Sequence, residues 1–70
     1  GRGANKDETL SFSWYERAAV AGFLVAQYML GRYYEKGIGV AKDRVLAKEW
    51  YEKAAAQGNE KAKKRLQDWK

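Results

Sequence analysis

The chain of 70 residues repeats itself with a period of 36, and this internal repeat constrains the fold more than any other feature. After a shift of 36 residues, 13 of the 34 compared positions are identical, and the Trp-Tyr-Glu block at 14–16 falls on the same block at 50–52. Unrelated sequences of ordinary composition would share roughly two or three positions. Because a period of this length is typical of repeat arrays, the sequence predicts two copies of one structural unit.

Each copy carries an apolar stripe at helical spacing, with residues four apart: Leu10, Trp14 and Ala18, then Leu46, Trp50 and Ala54. Asp7 and Asp43 precede the stripes as predicted N-caps, and a glycine follows each stripe. The pattern predicts helices near 8–21, 25–36, 43–57 and 60–69 after a leading loop. Because the connections are short, consecutive helices are expected to be antiparallel neighbours. The predicted fold is all-α, an antiparallel helix-pair superhelix of four helices and about two repeats.

The stripes also predict the core. Gly31 lies inside a predicted helix at a cost of about 1 kcal/mol relative to alanine, which indicates close approach of a neighbouring helix. The alanine pairs at 18–19 and 54–55 are expected to accept large rings from the next helix. We predict eight core residues: Leu10, Trp14, Tyr15, Leu30, Tyr34, Leu46, Trp50 and Tyr51.

Four blocks occur in order along the chain: Ala-Gln-Tyr at 26–28, Leu-Gly at 30–31, Gly-Ile-Gly-Val at 37–40 and Trp-Tyr-Glu-Lys-Ala-Ala at 50–55. Together they resemble the Sel-one-like repeat (SLR) family, a relative of the tetratricopeptide repeats that folds as an α/α solenoid. The period of about 36 and the Gly-x-Gly-Val loop differ from the 34-residue tetratricopeptide pattern. The resemblance implies a bacterial or eukaryotic scaffold that binds other proteins and is not an enzyme.

The same resemblance suggests a division of the chain. Residues 1–24 match the second half of one repeat, 25–58 one complete repeat, and 59–70 a C-terminal capping helix. In that last helix Lys64, Arg65 and Gln67 replace Tyr28, Met29 and Gly31, which gives it the polar outer face that ends a solenoid. Since fewer than three repeats are present, we expect marginal stability or weak self-association through the open N-terminal end.

The composition argues against several chemistries. The chain has no Cys and no His, which removes thiolate metal sites and the usual zinc and acid–base residues. The Gly-x-Gly segment at 37–39 lacks a preceding strand and a third glycine, so a helix-joining turn is the better interpretation than a phosphate loop. We therefore expect no catalytic residues, no cofactor and no metal. The longest apolar run, residues 23–26, is too short to span a bilayer.

Related solenoids place the first helix of each pair on the concave surface, and here the complete first helix is 25–36. Beside its core line lie Met29, Arg32 and Lys36, at i, i+3 and i+7, with Tyr33 flanking them. Arg65 and Asp68 are the counterparts of Met29 and Arg32 one repeat later. Met, Tyr and Arg suit interfaces, so we predict that these six residues bind a protein partner. The alternative is that they are solvated or covered by further repeats.

The net charge of +5 permits a different function. Lys61, Lys63, Lys64 and Arg65 make the last helix basic, and a basic helix is able to contact nucleic acid or an anionic membrane. However, Lys61, Lys63 and Lys64 point about 100° or more apart and form no single stripe. A protein partner is therefore favoured over nucleic acid or membrane. A basic adaptor and a purely structural cap remain as alternatives.

Overall fold

A computed structural model describes residues 6–69, and side chains from residue 7 onward. Four helices follow one another: α1 (Lys6–Val20), α2 (Leu24–Lys36), α3 (Arg44–Ala56) and α4 (Glu60–Gln67). Each helix packs on the next one along the chain, so the described residues form an all-α, antiparallel helix-pair solenoid, as predicted. Residues 1–5 of the predicted leading loop lie outside the described residues, and residues 6 and 7, also predicted as loop, belong to α1.

The helix boundaries follow local chemistry. Asp43 caps α3 as predicted, since its carboxylate accepts a hydrogen bond from the backbone N–H of Leu46 at 3.0 Å. Asn59 caps α4 in the same way, with Ala62 as donor at 2.9 Å. The prediction for Asp7 was wrong, because α1 begins at Lys6 and Asp7 lies within the first turn. In the first turn, the negative charge of Asp7 still stabilises α1 by interacting with the positive end of the helix dipole.

The segment between α2 and α3 is a helix-joining turn, as predicted. Gly37 ends α2 in the left-handed conformation, with φ of 72°, and donates its N–H to the carbonyl of Tyr33 at 2.8 Å. Gly39 has φ of 68° and lies against the first turn of α1. A Cβ atom at this position would stand 2.3 Å from the carbonyl oxygen of Glu8, so only glycine fits there.

The core consists of two adjoining clusters. One contains Ala19, Ala26 and Leu30, and Trp50 packs against it. The other contains Ala47, Tyr51, Ala54 and Ala62, with Trp69 among the rings around it. The alanine pairs at 18–19 and 54–55 lie in these clusters beside aromatic rings, as the sequence indicated.

The core prediction failed at two of its eight residues. Leu30 and Tyr51 are buried, and Tyr15, Tyr34, Leu46 and Trp50 are half-buried, but Leu10 and Trp14 are 56% and 61% exposed. The repeat explains the difference between Trp14 and Trp50. Trp50 is covered by the cluster of α1 and α2, which precede α3, whereas no helix precedes α1 within the described residues.

The 36-residue period is also visible in an aromatic pair. The rings of Tyr15 and Tyr33 meet edge to face at 5.4 Å between centroids, and those of Tyr51 and Trp69 do so at 5.7 Å. The helix α4 ends at Gln67, two residues before the predicted end at 69, so Trp69 lies beyond it. The ring contact is therefore kept although the helix beneath it has ended.

Candidate functional site

A cleft separates the N-terminal halves of α2 and α4. Its walls are Val25, Tyr28 and Met29 on α2 and Glu60 and Lys61 on α4, with the capping residue Asn59 between them. The depression has a volume of about 320 Å³. Val25 is 62% exposed although it is apolar. The cleft therefore combines an accessible apolar wall with one acidic and one basic side chain.

Glu35 joins three helices at the other end of this surface. Its Oε1 accepts a hydrogen bond from the Tyr51 hydroxyl on α3 at 2.7 Å, and its Oε2 forms an ion pair with Arg65 on α4. The Glu35 side chain is only 10% exposed, so its carboxylate is largely buried, while the Arg65 side chain is 37% exposed. Charge-assisted hydrogen bonds of this kind are stronger than neutral ones. The network therefore connects α4 to both α2 and α3.

The Tyr51 hydroxyl is neutral at ordinary pH. Burial raises the pKa of Tyr51 to about 12, and the neighbouring Tyr28 adds to the shift while the positive charge of Arg32 opposes it. A neutral hydroxyl donates a hydrogen bond to the Glu35 carboxylate, which is the arrangement observed. Arg32 is therefore close enough to Tyr51 for its charge to act on the hydroxyl.

The six residues predicted to bind a partner lie in different surroundings. Met29 lines the cleft, and Arg32 is half-buried near Tyr51. Lys36 and Asp68 are exposed. Tyr33 packs against α1, where it meets the rings of Phe12 and Tyr15.

Arg65, the sixth, is held by Glu35 and lies 5.7 Å from the Trp69 ring centroid. Two of the six predicted residues, Tyr33 and Arg65, therefore have contacts within the chain that leave less of each side chain for a partner.

The sequence analysis did not predict two polar networks, one around Glu35 and one around Gln27 and Gln57. Glu35 was not singled out, although it is the one acidic residue in the sequence of α2. Gln27 is buried, donates to the carbonyl of Ala19 at 3.2 Å and accepts from the side chain of Gln57 at 2.9 Å. Gln57 also donates to the carbonyl of Gly22. A polar residue on the core face of a helix is the signal that points to Gln27, since a buried amide needs partners.

The basic residues of α4 are partly neutralised. Lys63 pairs with Glu60 at 3.5 Å, and Arg65 pairs with Glu35.

Among the described residues, no group of three or more Asp and Glu side chains is placed to hold a metal ion. No helix in residues 6–69 has the length and apolar character needed to cross a membrane.

Comparison with protein-family models gives matches over two segments. The model described as Sel1 repeat matches residues 1–23 and 24–59, which is most of the chain. The chain belongs to the Sel1 repeat family. This is the family that the motifs at 26–59 resemble, and Sel1 repeats are generally modules for protein–protein interaction. Proteins built from Sel1 repeats are typically scaffolds rather than enzymes.

A solved structure supports the Sel1 fold directly. The chain is 97% identical to a Sel1 repeat protein from Oxalobacter formigenes, with a TM-score of 0.89 over 99% of the present chain. The match covers 52% of that protein, so the chain spans about half its length. A comparison with curated proteins found no match.

Proposed function

We propose that this chain is a non-enzymatic protein-interaction module that forms the C-terminal part of a Sel1 repeat scaffold, with α4 as its capping helix. The proposed binding surface is the face shared by α2 and α4. The observation that carries the proposal is the open cleft with Val25, Tyr28 and Met29 on its α2 wall. An accessible apolar wall beside charged side chains is the composition of a protein interface.

The six residues proposed to contact a partner are Met29, Arg32, Tyr33, Lys36, Arg65 and Asp68. Met29 and Arg32 are the central pair, because Met29 lines the cleft and Arg32 follows one helical turn later. Methionine adapts its shape to an apolar side chain, and arginine adds directed hydrogen bonds. Lys36 and Asp68 are exposed and are assigned to the rim.

The test uses peptides selected from a random displayed library on the wild-type chain. Alanine at Met29 or Arg32 is expected to weaken binding of the selected peptides about tenfold or more, with unchanged helicity by circular dichroism. Val45→Ala is the matched control, because Val45 is an exposed apolar residue on α3 that does not line the cleft. Peptides that tolerate both cleft variants and respond to the control would contradict the proposal.

The exposed side chains of Leu10 and Trp14 favour a second contact, weak self-association through the N-terminal end.

The alternative function is a basic adaptor that contacts nucleic acid or an anionic membrane surface through the basic residues of α4. It is less favoured, because two of the four basic residues there are paired within the chain. Binding of that kind weakens steeply as salt rises. A purely structural cap would bind no selected peptide at the cleft.

A further inference from the structure

One face of α2 carries apolar residues and then basic residues in a single line. Val25, Met29, Arg32 and Lys36 follow one another at intervals of three or four residues, so their directions around the helix agree within about 60°. Val25 and Met29 line the cleft beside α4. Arg32 lies about 5 Å further along the helix axis than Met29. The apolar wall of the cleft and the positive charges of α2 therefore belong to one surface.

Helix α4 contributes a second line of residues to the same surface. Lys61, Arg65 and Asp68 follow one another at intervals of three or four residues. Lys61 lines the cleft and Arg65 pairs with Glu35 on α2, so this line lies toward α2. The cleft therefore has one positive charge on its α4 wall, at Lys61, and another one turn beyond its α2 wall, at Arg32.

The carboxylates beside these two lines are already neutralised. Glu35 pairs with Arg65, and Glu60 pairs with Lys63. Three cations on the lines form no ion pair within residues 6–69, namely Arg32, Lys36 and Lys61. Against them stands Asp68, a carboxylate without an ion pair in the same part of the chain. This excess of unpaired positive charge beside the cleft favours a partner with negative charge.

Arg32 is the cation best suited to bind a carboxylate. Its side chain is half-buried, and its charge acts on the buried hydroxyl of Tyr51. A positive charge that has lost part of its hydration gains more from an incoming anion than a fully exposed lysine does. In addition, a guanidinium group holds a carboxylate with two parallel hydrogen bonds.

The apolar wall favours a peptide over a nucleic acid. Bases bind by stacking on exposed aromatic rings, but the ring of Tyr28 on this wall already packs against Tyr51, with 5.7 Å between centroids. Val25 and Met29 offer aliphatic surface, which suits an apolar side chain. The cleft volume of about 320 Å³ is at the lower end of the range for ligand pockets, so it suits one large side chain of a peptide.

The cleft does not depend on where the array begins or ends. Both of its walls, α2 and α4, are described helices. Each helix packs on the next one along the chain, so a further repeat before α1 covers the far side of α1 and not the surface between α2 and α4. The surface is therefore accessible to a separate partner within a longer array.

We infer that the partner is an extended acidic segment of another protein, which places one large apolar side chain in the cleft and carboxylates on Arg32 and Lys61. This inference rests on the proposed function and names the chemistry of its partner. An extended chain advances about 3.3 Å per residue. The carboxylate on Arg32 therefore lies about one or two residues from the apolar side chain.

The first experiment reads the sequences of peptides selected from a random displayed library on the wild-type chain. They are expected to share a large apolar residue with an aspartate or glutamate within about two positions of it. Synthetic copies with asparagine or glutamine in place of the acidic residues are expected to bind about tenfold more weakly. Selected peptides that lose binding to Met29→Ala but carry no acidic residue would overturn this inference alone. A library that yields no peptide would overturn the proposed function as well.

A second experiment tests the two cations. Arg32→Gln and Lys61→Gln are each expected to weaken binding of the selected peptides about tenfold, with unchanged helicity by circular dichroism. Lys48→Gln is the matched control, because it removes the same charge from an exposed position of α3 outside the cleft. Equal losses in all three variants would mean that only the net charge matters and would overturn the inference.

A third experiment reverses one charge. Lys61→Glu keeps the helix, because an acidic residue in the first turn of α4 is favourable. It is expected to bind the acidic peptides about tenfold more weakly and to recover affinity for copies in which one acidic residue is replaced by lysine. Failure of every such copy to recover affinity would overturn the contact at Lys61.

The same assays include a single-stranded polyuridine oligonucleotide, which is expected to bind more weakly than the selected peptides at physiological salt. An oligonucleotide that binds more tightly than the peptides and loses affinity for Arg32→Gln would overturn the choice of a peptide as partner.

Discussion

Gly31 on α2 lies so close to Tyr51 on α3 that a Cβ atom at residue 31 would stand 2.8 Å from Cδ1 of the tyrosine ring. Tyr51 is fully buried, and its hydroxyl is held by Glu35. The ring therefore has no space to move away. The absence of a side chain at Gly31 sets the distance between the two helices of the complete repeat.

Gly31→Ala is expected to destabilise the chain by about 1 to 3 kcal/mol, because the new methyl group overpacks the core. The loss outweighs the gain of up to about 1 kcal/mol that alanine brings in a helix. Urea unfolding followed by circular dichroism measures the change. In a Tyr51→Leu background the ring is gone, and the penalty should shrink or reverse. A penalty of the same size in both backgrounds would show that the ring is not its cause.

Raising the pH is expected to destabilise the fold through Tyr51. Burial raises the pKa of this hydroxyl from an ordinary value of 10.0 to about 12, so the folded state holds the proton more tightly than the unfolded chain. The resulting stabilisation is complete below about pH 10 and is lost as the pH rises to about 12. Burial also raises the pKa of Tyr34, with smaller contributions from Glu16 and Asp43.

Thermal unfolding of wild type and Tyr51→Phe across this pH window separates the contribution of Tyr51 from the titration of lysines and other tyrosines. The wild type should lose more stability than the variant. Parallel curves for the two proteins would refute the assignment.

Glu35→Gln is expected to lower the stability by about 1 to 3 kcal/mol, because it removes the charge that pairs with Arg65 and weakens the acceptor for Tyr51. Glu52→Gln is the matched control, since Glu52 is exposed on α3. Chemical denaturation of both variants gives the comparison. Equal stabilities would mean that the network contributes nothing beyond the removal of one negative charge.

Replacing the two repeat-equivalent tryptophans by alanine should have unequal effects. Trp50→Ala is expected to cost about 2 kcal/mol, because its ring packs on the cluster of Ala19, Ala26 and Leu30. Trp14→Ala should change the stability by less than about 0.5 kcal/mol, because Trp14 is 61% exposed. Denaturant midpoints at a low protein concentration, where copies do not associate, measure both. A large loss at Trp14 would mean that its ring is covered in solution.

Much of the fold was predictable because its signals are local. The apolar spacing located four helices to within about two residues, and Asp43 and Gly31 were predicted in the roles that the structure gives them. A capping carboxylate acts on a backbone three residues away, and a glycine in a helix is costly wherever it occurs. Such signals need no knowledge of the partner helix.

Contacts between distant residues were less predictable. Glu35 and Arg65 are 30 residues apart, as are Gln27 and Gln57, and no spacing rule links them. The exposure of Trp14 was missed for a related reason. Leu10, Trp14 and Ala18 have the same spacing as Leu46, Trp50 and Ala54, and the spacing does not show which helices precede each tryptophan. In the candidate site, Met29 is the one predicted residue that lines the cleft, whereas Val25, Tyr28 and the internal partners of Tyr33 and Arg65 were not predicted.

The contact of Gly39 with Glu8 has a consequence for the shape of a longer array. The turn between α2 and α3 lies directly on the backbone of the first turn of α1, without room for a Cβ atom between them. The spacing there is set by main-chain thickness, which is the same for every amino acid. A glycine at the same position in further repeats would therefore give the same spacing between turn and helix at every such contact, whatever residues surround it.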